Sequence, residues 1–325
     1  MRQKISLVVP IRDEESSVRP LLESIFAQET LPDEVIFVDG GSRDGTLQAV
    51  SAYIAEGHAV KVITAGPSYP GRGRNIGIGA AQNELIALAD AGTVLEKPWL
   101  KELASKMTDG SPVDVVFGVY DPMANTFFKR WSSVAFVPPR RVVEGVRMRT
   151  YSVTSMLIKK RVWEEVGGFP DLRSAEDRIF IEKIREGSYT ISFAPSARIL
   201  WDVPAGPGEL FSKFYLYSFH GIKANKMKDW HVPVMRIYVS MIPFIALGVM
   251  ISTYLFAIPV LLFIARAFHL IFEKEEGSIF KKINPAAFMC VFFSMVLIDL
   301  ALLCGIGRFI ATRFYKEAHC AQRKI

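Results

Sequence analysis

Val35 to Thr46 reads VIFVDGGSRDGT, an unbroken apolar run closed by an acid, two glycines and a polar turn. A short apolar run bounded by turn residues is the pattern of a strand buried on both faces. Asp39 then stands where that strand ends, and open α/β sheets bind ligands in the crevice beyond the carboxyl ends of their strands. The glycines permit close backbone approach, and the turn feeds a helix whose N-terminus favours anions. Asp44 and Thr46 are residue types that cap such a helix. Taken alone, a plain strand-turn-helix joint would carry the same residues.

The segments on either side repeat the unit. Ile5–Val9 reads as a buried strand ending at Pro10. Val18, Leu21, Leu22, Ile25 and Phe26 then fall on one helical face, and Pro32 closes the unit. A helix through Leu47, Val50 and Ile54 ends at Gly57, and Val60–Ile63 and Leu85–Leu88 are further strands. Gly71 to Ala81 reads as a loop and short helix. Val113–Phe117 and Val153–Ile158 are later strands, and Pro122 to Arg149, mixed aromatic and basic without a clear period, is predicted to run over the active-site face. Strands alternating with helices at this spacing predict an α/β fold, a mostly parallel sheet with helices on both faces.

Three more segments carry chemistry. GRGRN (Gly71 to Asn75) offers Arg72 and Arg74, whose guanidinium groups suit bidentate phosphate contact, although a solvated basic loop reads the same way. ADAG (Ala89 to Gly92) puts Asp90 directly after an apolar strand, where a carboxylate can bind a divalent cation that neutralises a diphosphate leaving group. GGFPDLRSAEDRIF (Gly167 to Phe180) joins a Gly-Gly turn to a helix beginning near Glu176. Asp177, in its first turn, is expected to be held ionised by the helix dipole and so to serve as a general base. Asp90 as a cap and Asp177 as a surface acid at a helix start are the plainer alternatives.

Half of the 325 residues are apolar, yet the share of charged residues is that of a soluble protein, so the chain combines two regimes. Ile237 to Ala265 contains no Lys, Arg, Asp or Glu, and Pro285 to Ile306 contains only Asp299. Each reaches the ~20 apolar residues that cross a bilayer core. The expected boundaries are a catalytic domain over 1–205, an amphipathic interfacial linker over 206–233, and a membrane region over 234–325. Its helices are expected at about 237–265 and 286–307, followed by a basic tail. The tail (Arg308, Arg313, Lys316, Arg323, Lys324) and an N-terminus without a signal peptide both favour the cytoplasm, so an even number of crossings is expected. Two crossings satisfy this; so does a hairpin broken near Pro259 with an interfacial third helix. The expectation is a multi-pass protein of the cell (inner) membrane with a cytoplasmic catalytic domain. The net charge of +6, with Lys213, Lys223, Lys226 and Lys228 ahead of the apolar region, suits a footing on anionic lipid. No basic helix or aromatic-interleaved basic patch points to nucleic acid. Cys290, Cys304 and Cys320 have neither metal nor disulfide spacing.

The ordered series resembles the family 2 glycosyltransferases of GT-A fold. VVPIRDEE (Val8 to Glu15) looks like the family's opening strand and loop, VDGGSRDGT (Val38 to Thr46) its nucleotide-binding turn, and RGRNIGI (Arg72 to Ile78) its Arg-Asn segment. GGFPDLRSAEDRIF looks like its acceptor segment, and apolar C-terminal helices are common in the family. The resemblance implies that Asp39, with Pro10, Arg12, Glu14 and Gly41 around it, contacts the base or ribose of a nucleotide-diphosphate sugar. It places Arg72 and Arg74 near the diphosphate, makes Asp90 the first acid of an Asp-x-Asp metal motif, and puts Asp177 beside Glu176 at the acceptor as catalytic base. Gly92 stands where the second acid usually lies, which leaves Mg²⁺ or Mn²⁺ to Asp90 and the diphosphate alone. The Gln-x-x-Arg-Trp motif of processive synthases is absent, with FYLYSFHG (Phe214 to Gly221) in its place, so single addition is expected. The implied function is a membrane-anchored inverting transferase acting on a hydroxyl acceptor, either a membrane lipid or lipid-linked. One rival is a non-catalytic binding or assembly protein on the same fold. The other, a nucleotidyltransferase, would want a Gly-rich, Lys-containing loop where this chain has Pro10 to Glu15.

Overall fold

A computed structural model describes residues 3–108, 112–274 and 284–322. It divides into two units: residues 1–123 with 140–202, and residues 124–139 with 203–325. The chain runs β1 (Ile5–Ile11), α1 (Glu15–Phe26), β2 (Glu34–Asp39), α2 (Thr46–Ala55), β3 (Val60–Thr64), α3 (Pro70–Ala80), β4 (Leu85–Leu88), β5 (Thr93–Leu95), α4 (Trp99–Thr108) and β6 (Val115–Pro122). It then leaves for α5 (Phe127–Phe136), which belongs to the second unit, and returns as the hairpin β7 (Arg141–Val143) and β8 (Val146–Met148). β9 (Met156–Lys159), α6 (Lys160–Glu165), α7 (Glu176–Glu186) and β10 (Ile191–Trp201) complete the first unit.

Its sheet has eight strands in the order β3-β2-β1-β4-β9-β6-β10-β5. The pairs β1–β2, β1–β4, β2–β3 and β6–β10 are parallel, whereas β4–β9, β6–β9 and β5–β10 are antiparallel. Because β9 runs against both of its neighbours, β6 and β10 point the same way as β1, β2 and β4. Their carboxyl ends therefore share one edge. Alternation along the strands explains why both faces are covered. In β1, Ile5, Leu7, Val9 and Ile11 join the core under α1 and α4, while Val8 joins the core on the other face with Ile78 of α3 and Phe180 and Ile184 of α7. Each such side chain, fully buried, contributes about 1.5–3 kcal/mol.

Three readings of the sequence change here. The arginines of GRGRN lie inside α3 rather than ahead of a helix, because Pro70 supplies a favourable first helical position. Val153–Ser155 is a 3₁₀ turn that precedes β9 rather than part of the strand. The segment from Pro122 to Arg149 is not one excursion: 127–136 joins the second unit and the basic hairpin stays with the first.

The second unit consists of α5, α8 (Pro207–Lys223), α9 (Met227–Met250), α10 (Ala257–Lys274) and α11 (Pro285–Gln322). Among the described residues three stretches are long and apolar enough to cross a membrane: His231–Met250, Thr253–Lys274 and Pro285–Arg313. The run from Ile237 to Ala265 is thus two helices, broken at Ile251 and Ser252, rather than a single one. Tyr238 of α9 meets Phe263 of α10 at 5.7 Å between ring centroids, so the two fold back on each other. Asp299, the lone acid of the later apolar stretch, is fully buried and paired with Arg266, whose Nη2 donates to Asp299 Oδ1 at 3.0 Å. Ionisable residues at membrane depth generally find such partners. Of the tail, the side chain of Lys316 and residues Arg323 and Lys324 lie outside the described residues.

Candidate active site

The strand edge that carries Asp39 is built from two loops sewn together. Asp39 is buried, and its carboxylate accepts from its own turn: Ser42 Oγ at 2.6 Å, Ser42 N at 3.0 Å and Gly41 N at 3.2 Å. Gly41 holds φ at 87°, a left-handed conformation a residue with a Cβ rarely adopts. The β1–α1 loop then crosses to the β2–α2 loop. Asp13 N donates to Ser42 Oγ, Arg43 N to Asp13 Oδ1, Glu14 N to Thr46 Oγ1 and Glu15 N to Asp44 Oδ2, at 2.7–3.1 Å. Asp44 and Thr46 therefore tie loop to loop besides starting α2. Arg12 is exposed beside Asp13, and Pro10 lies under α3 at Gly73.

Arg72 and Arg74 differ in their surroundings. Arg72 is exposed, whereas Arg74 is buried at the centre of a carboxylate cluster. Its Nη2 donates to Asp90 Oδ1 at 2.6 Å and its Nη1 to Glu176 Oε1 at 3.0 Å. Its Nε has no partner, and its guanidinium lies over the Phe169 ring at 5.3 Å. One fixed cation thus serves three acids, because Asp177 also lies within its field. The balance is insufficient for the buried carboxyls. Burial, opposed by Arg74 and reinforced by Asp177, pushes Glu176 up to about 7. Burial also raises Asp177, opposed by Arg74 and by the Arg178 backbone N–H and reinforced by Asp90. Loss of water thus outweighs the helix dipole in setting the proton affinity of Asp177, which is raised above that of an ordinary aspartate.

Asn75, next to Arg74, fixes the Gly-Gly-Phe segment that delivers Glu176 and Asp177. Its Nδ2 donates to Phe169 O at 2.8 Å, and its Oδ1 accepts from Phe169 N and Trp163 Nε1, both at 2.9 Å. Gly168 sits with φ at 65°, and a Cβ there would come within 2.7 Å of Asn75 Oδ1. Only glycine serves that position without strain.

For a divalent cation the side chains present are few. Asp90 is part-exposed but already engaged by Arg74, and a Cβ at Gly92 would meet only open space. Among the described residues no group of three His, Cys, Asp or Glu is arranged to hold a metal. The protein alone does not form a cation cage.

Sequence reasoning overlooked Asp121 and Tyr120, which end β6 on the same edge. The signal was present: Asp121 closes the run Val115–Tyr120 just as Asp39 closes Val35–Val38. Trp201, at the end of β10, meets Tyr120 edge-on at 6.3 Å.

Comparison with known proteins bears on the family and the fold. Residues 6–167 match glycosyl transferase family 2. A probable glycosyltransferase of Bacillus subtilis, YdaM, is 23% identical over 61% of this chain and 50% of its own length. A dodecaprenyl-phosphate galacturonate synthase of Rhizobium johnstonii is 38% identical over 50% of each. This chain therefore spans about half the length of either relative. Among solved structures, a mannosyltransferase of Pyrobaculum calidifontis, in complex with GDP-Man and Mn²⁺, covers 93% of this chain and 88% of its own at 19% identity and a TM-score of 0.55. That likeness bears on the fold, which is GT-A. With the motifs, the edge of acids and the family match in agreement, the chain belongs to glycosyl transferase family 2.

Proposed function

We propose that the protein transfers a sugar from a nucleotide-diphosphate donor to a hydroxyl acceptor with inversion at the anomeric carbon. The observation that carries this reading is the cluster around Arg74, which gathers Asp90, Glu176 and Asp177 at the carboxyl edge of the sheet. The nucleoside is placed at the loop pair around Asp39, with Pro10, Arg12, Glu14 and Gly41, and Arg72 is the exposed cation for the diphosphate. Arg74 acts through the acids it holds.

Asp177, ionised, takes the proton of the acceptor hydroxyl. The oxygen attacks the anomeric carbon from the face opposite the diphosphate, a new C–O bond forms, and the old one breaks with its electron pair leaving on the diphosphate. The raised affinity of Asp177 for a proton suits a base, since efficiency rises as its pKa approaches the working pH. Glu176 keeps the acceptor side of the cluster polar. A divalent cation, Mg²⁺ or Mn²⁺, would be held through Asp90 and would neutralise the charge that develops on the departing diphosphate. The Mn²⁺ and GDP-Man of the neighbouring mannosyltransferase structure support the donor class. The apolar helices support a domain held at a membrane and an acceptor that the membrane delivers, and the lysines ahead of them (Lys223, Lys226, Lys228) favour the cytoplasmic face.

The test is Asp177→Asn in the full chain. Turnover is expected to fall by roughly 10²–10⁴-fold, the usual worth of a general base, with nucleotide-sugar binding unchanged. Near-normal turnover removes Asp177 from this role. Donor binding without transfer or hydrolysis in the unaltered protein favours instead a non-catalytic binding protein, the reading that Gly92 supports.

A further inference from the structure

A polar cavity lies against β6 and β10 of the same sheet. It measures about 400 Å³ and is lined by Arg140, Arg147, Arg149 and Arg198 together with Tyr120 and Glu96. The cavity's position follows from the topology. Tyr120 is on β6 and Arg198 on β10, while Arg140, Arg147 and Arg149 come from the ends of the β7–β8 hairpin and its flanks. Asp39 ends β2 and β6 stands four strands from β2, so at ~4.8 Å per strand the cavity is about 19 Å across the sheet from Asp39. It is therefore separate from the nucleotide position. It is not remote from the chemistry. Tyr120, which lines it, is pushed up to about 12 by burial, with Arg149 opposing and Asp177 adding to the shift, so the phenol lies within the field of the proposed base.

The charges in and around the cavity do not cancel. Asp121, buried, receives Arg149 Nη2 at 3.0 Å, pairs with Arg140, and has Arg198 Nη1 at 3.7 Å. Arg198 Nη2 also meets Glu96 at 2.7 Å. Two carboxylates hold three guanidinium groups in place, those of Arg140, Arg149 and Arg198, so a positive excess remains among these five groups. Arg147 is exposed at the cavity while Asp121 fixes its neighbours, which is how a preorganised anion site is built: the arginines are already oriented before the ligand arrives. Arginine is the side chain suited to planar, bidentate recognition of phosphate oxygens.

Resting on the proposed transferase reading, we infer that this arginine cavity binds a phosphate group carried by the acceptor and so sets the hydroxyl beside Asp177. The acceptor class is then a phosphate ester. The phosphate can belong to a lipid headgroup or to a soluble phosphorylated glycan, and the experiment separates these sources.

The full chain is placed in phosphatidylcholine nanodiscs with or without phosphatidic acid. Glycerol phosphate binding is measured by titration calorimetry in the discs without phosphatidic acid, and thermal stabilisation by phosphatidic acid is read by comparing the two kinds of disc. Arg147→Glu, an exposed hairpin position at the cavity, is compared with Arg141→Glu, exposed on the same hairpin but not lining the cavity. Binding of glycerol phosphate that weakens at least tenfold in Arg147→Glu and not in Arg141→Glu supports the inference with a soluble acceptor. Stabilisation by phosphatidic acid alone, with the same variant pattern, supports it with a lipid acceptor. No binding of either probe, or equal loss in both variants, overturns it. Nucleotide-sugar binding, measured on the same samples, should be unchanged in both variants. Its absence from the unaltered protein would defeat the transferase reading while leaving the phosphate result to stand separately.

Discussion

Glu176 records how the cluster around Arg74 is balanced. Its carboxyl is buried, accepts from Arg74 Nη1, and is pushed up to about 7 from an ordinary 4.5 by loss of water. The folded state therefore binds the carboxyl proton more tightly than the unfolded chain. By linkage, the stabilisation is complete below about pH 4.5 and is lost as the pH rises through 7. At 1.36 kcal/mol per unit the loss is on the order of 3 kcal/mol. Glu176→Gln keeps an acceptor for Arg74 and removes the titration, so the variant should gain thermal stability relative to the unaltered protein at pH 8 and not at pH 4.5. Melting curves at both values test this; an identical pH dependence in the two proteins refutes it. Nothing in the local sequence announced this balance. Arg74 and Glu176 are 102 residues apart, and GRGRN reads as a phosphate loop until the fold brings an acid to each side of it.

At the scale of elements, the strands that could be read were those whose sequence is simplest. β1, β2 and β4 are nearly continuous apolar runs, with Pro10 late in β1, Asp39 ending β2 and Asp90 two residues beyond β4. β10 escaped because Pro195, Ser196 and Arg198 interrupt it, and its register with β6 shifts between Phe193 and Arg198. The apolar stretch after Ile237 misled in another way. Pro259 suggested a break, but it occupies the first turn of α10, where proline is tolerated, and the chain turns earlier at Ile251 and Ser252. α9 before this turn and α10 after it each approach the length of a bilayer core, and Tyr254 has the amphipathic ring typical of the interface. The turn is thus expected to emerge on the side opposite the catalytic domain. In a chain whose native cysteines are replaced, Ser252→Cys should react with an impermeant maleimide added to intact cells. Ser188→Cys, exposed on the first unit, should react only after permeabilisation. Labelling of both under the same condition contradicts the crossing.

At the scale of the molecule, the two units are not consecutive in the chain, and this decides how the catalytic part can be studied alone. Composition suggested one boundary near residue 205, whereas the compact units divide the chain at 123/124, 139/140 and 202/203. It could not show that 124–139 had already crossed, because α5 is amphipathic and reads as an ordinary surface helix. In the fold, Trp131 and Val134 of α5 are buried against Ile271 of α10 and Ala287 and Val291 of α11, and Phe128 and Phe136 pack with Leu210 and Leu302. A chain cut after Asp202 keeps α5 and loses every one of these partners. Each large side chain returned to water costs about 1.5–3 kcal/mol of burial, and together they leave an apolar patch of the kind that drives association. The fragment 1–202 should therefore elute as aggregate in size-exclusion chromatography without detergent. The same fragment carrying Trp131→Ser, Val134→Ser and Phe136→Ser should run as a monomer, because the cores of the first unit contain none of these residues. A monomeric unmodified fragment would mean that α5 finds its burial within the first unit, and the division of the chain would have to be redrawn.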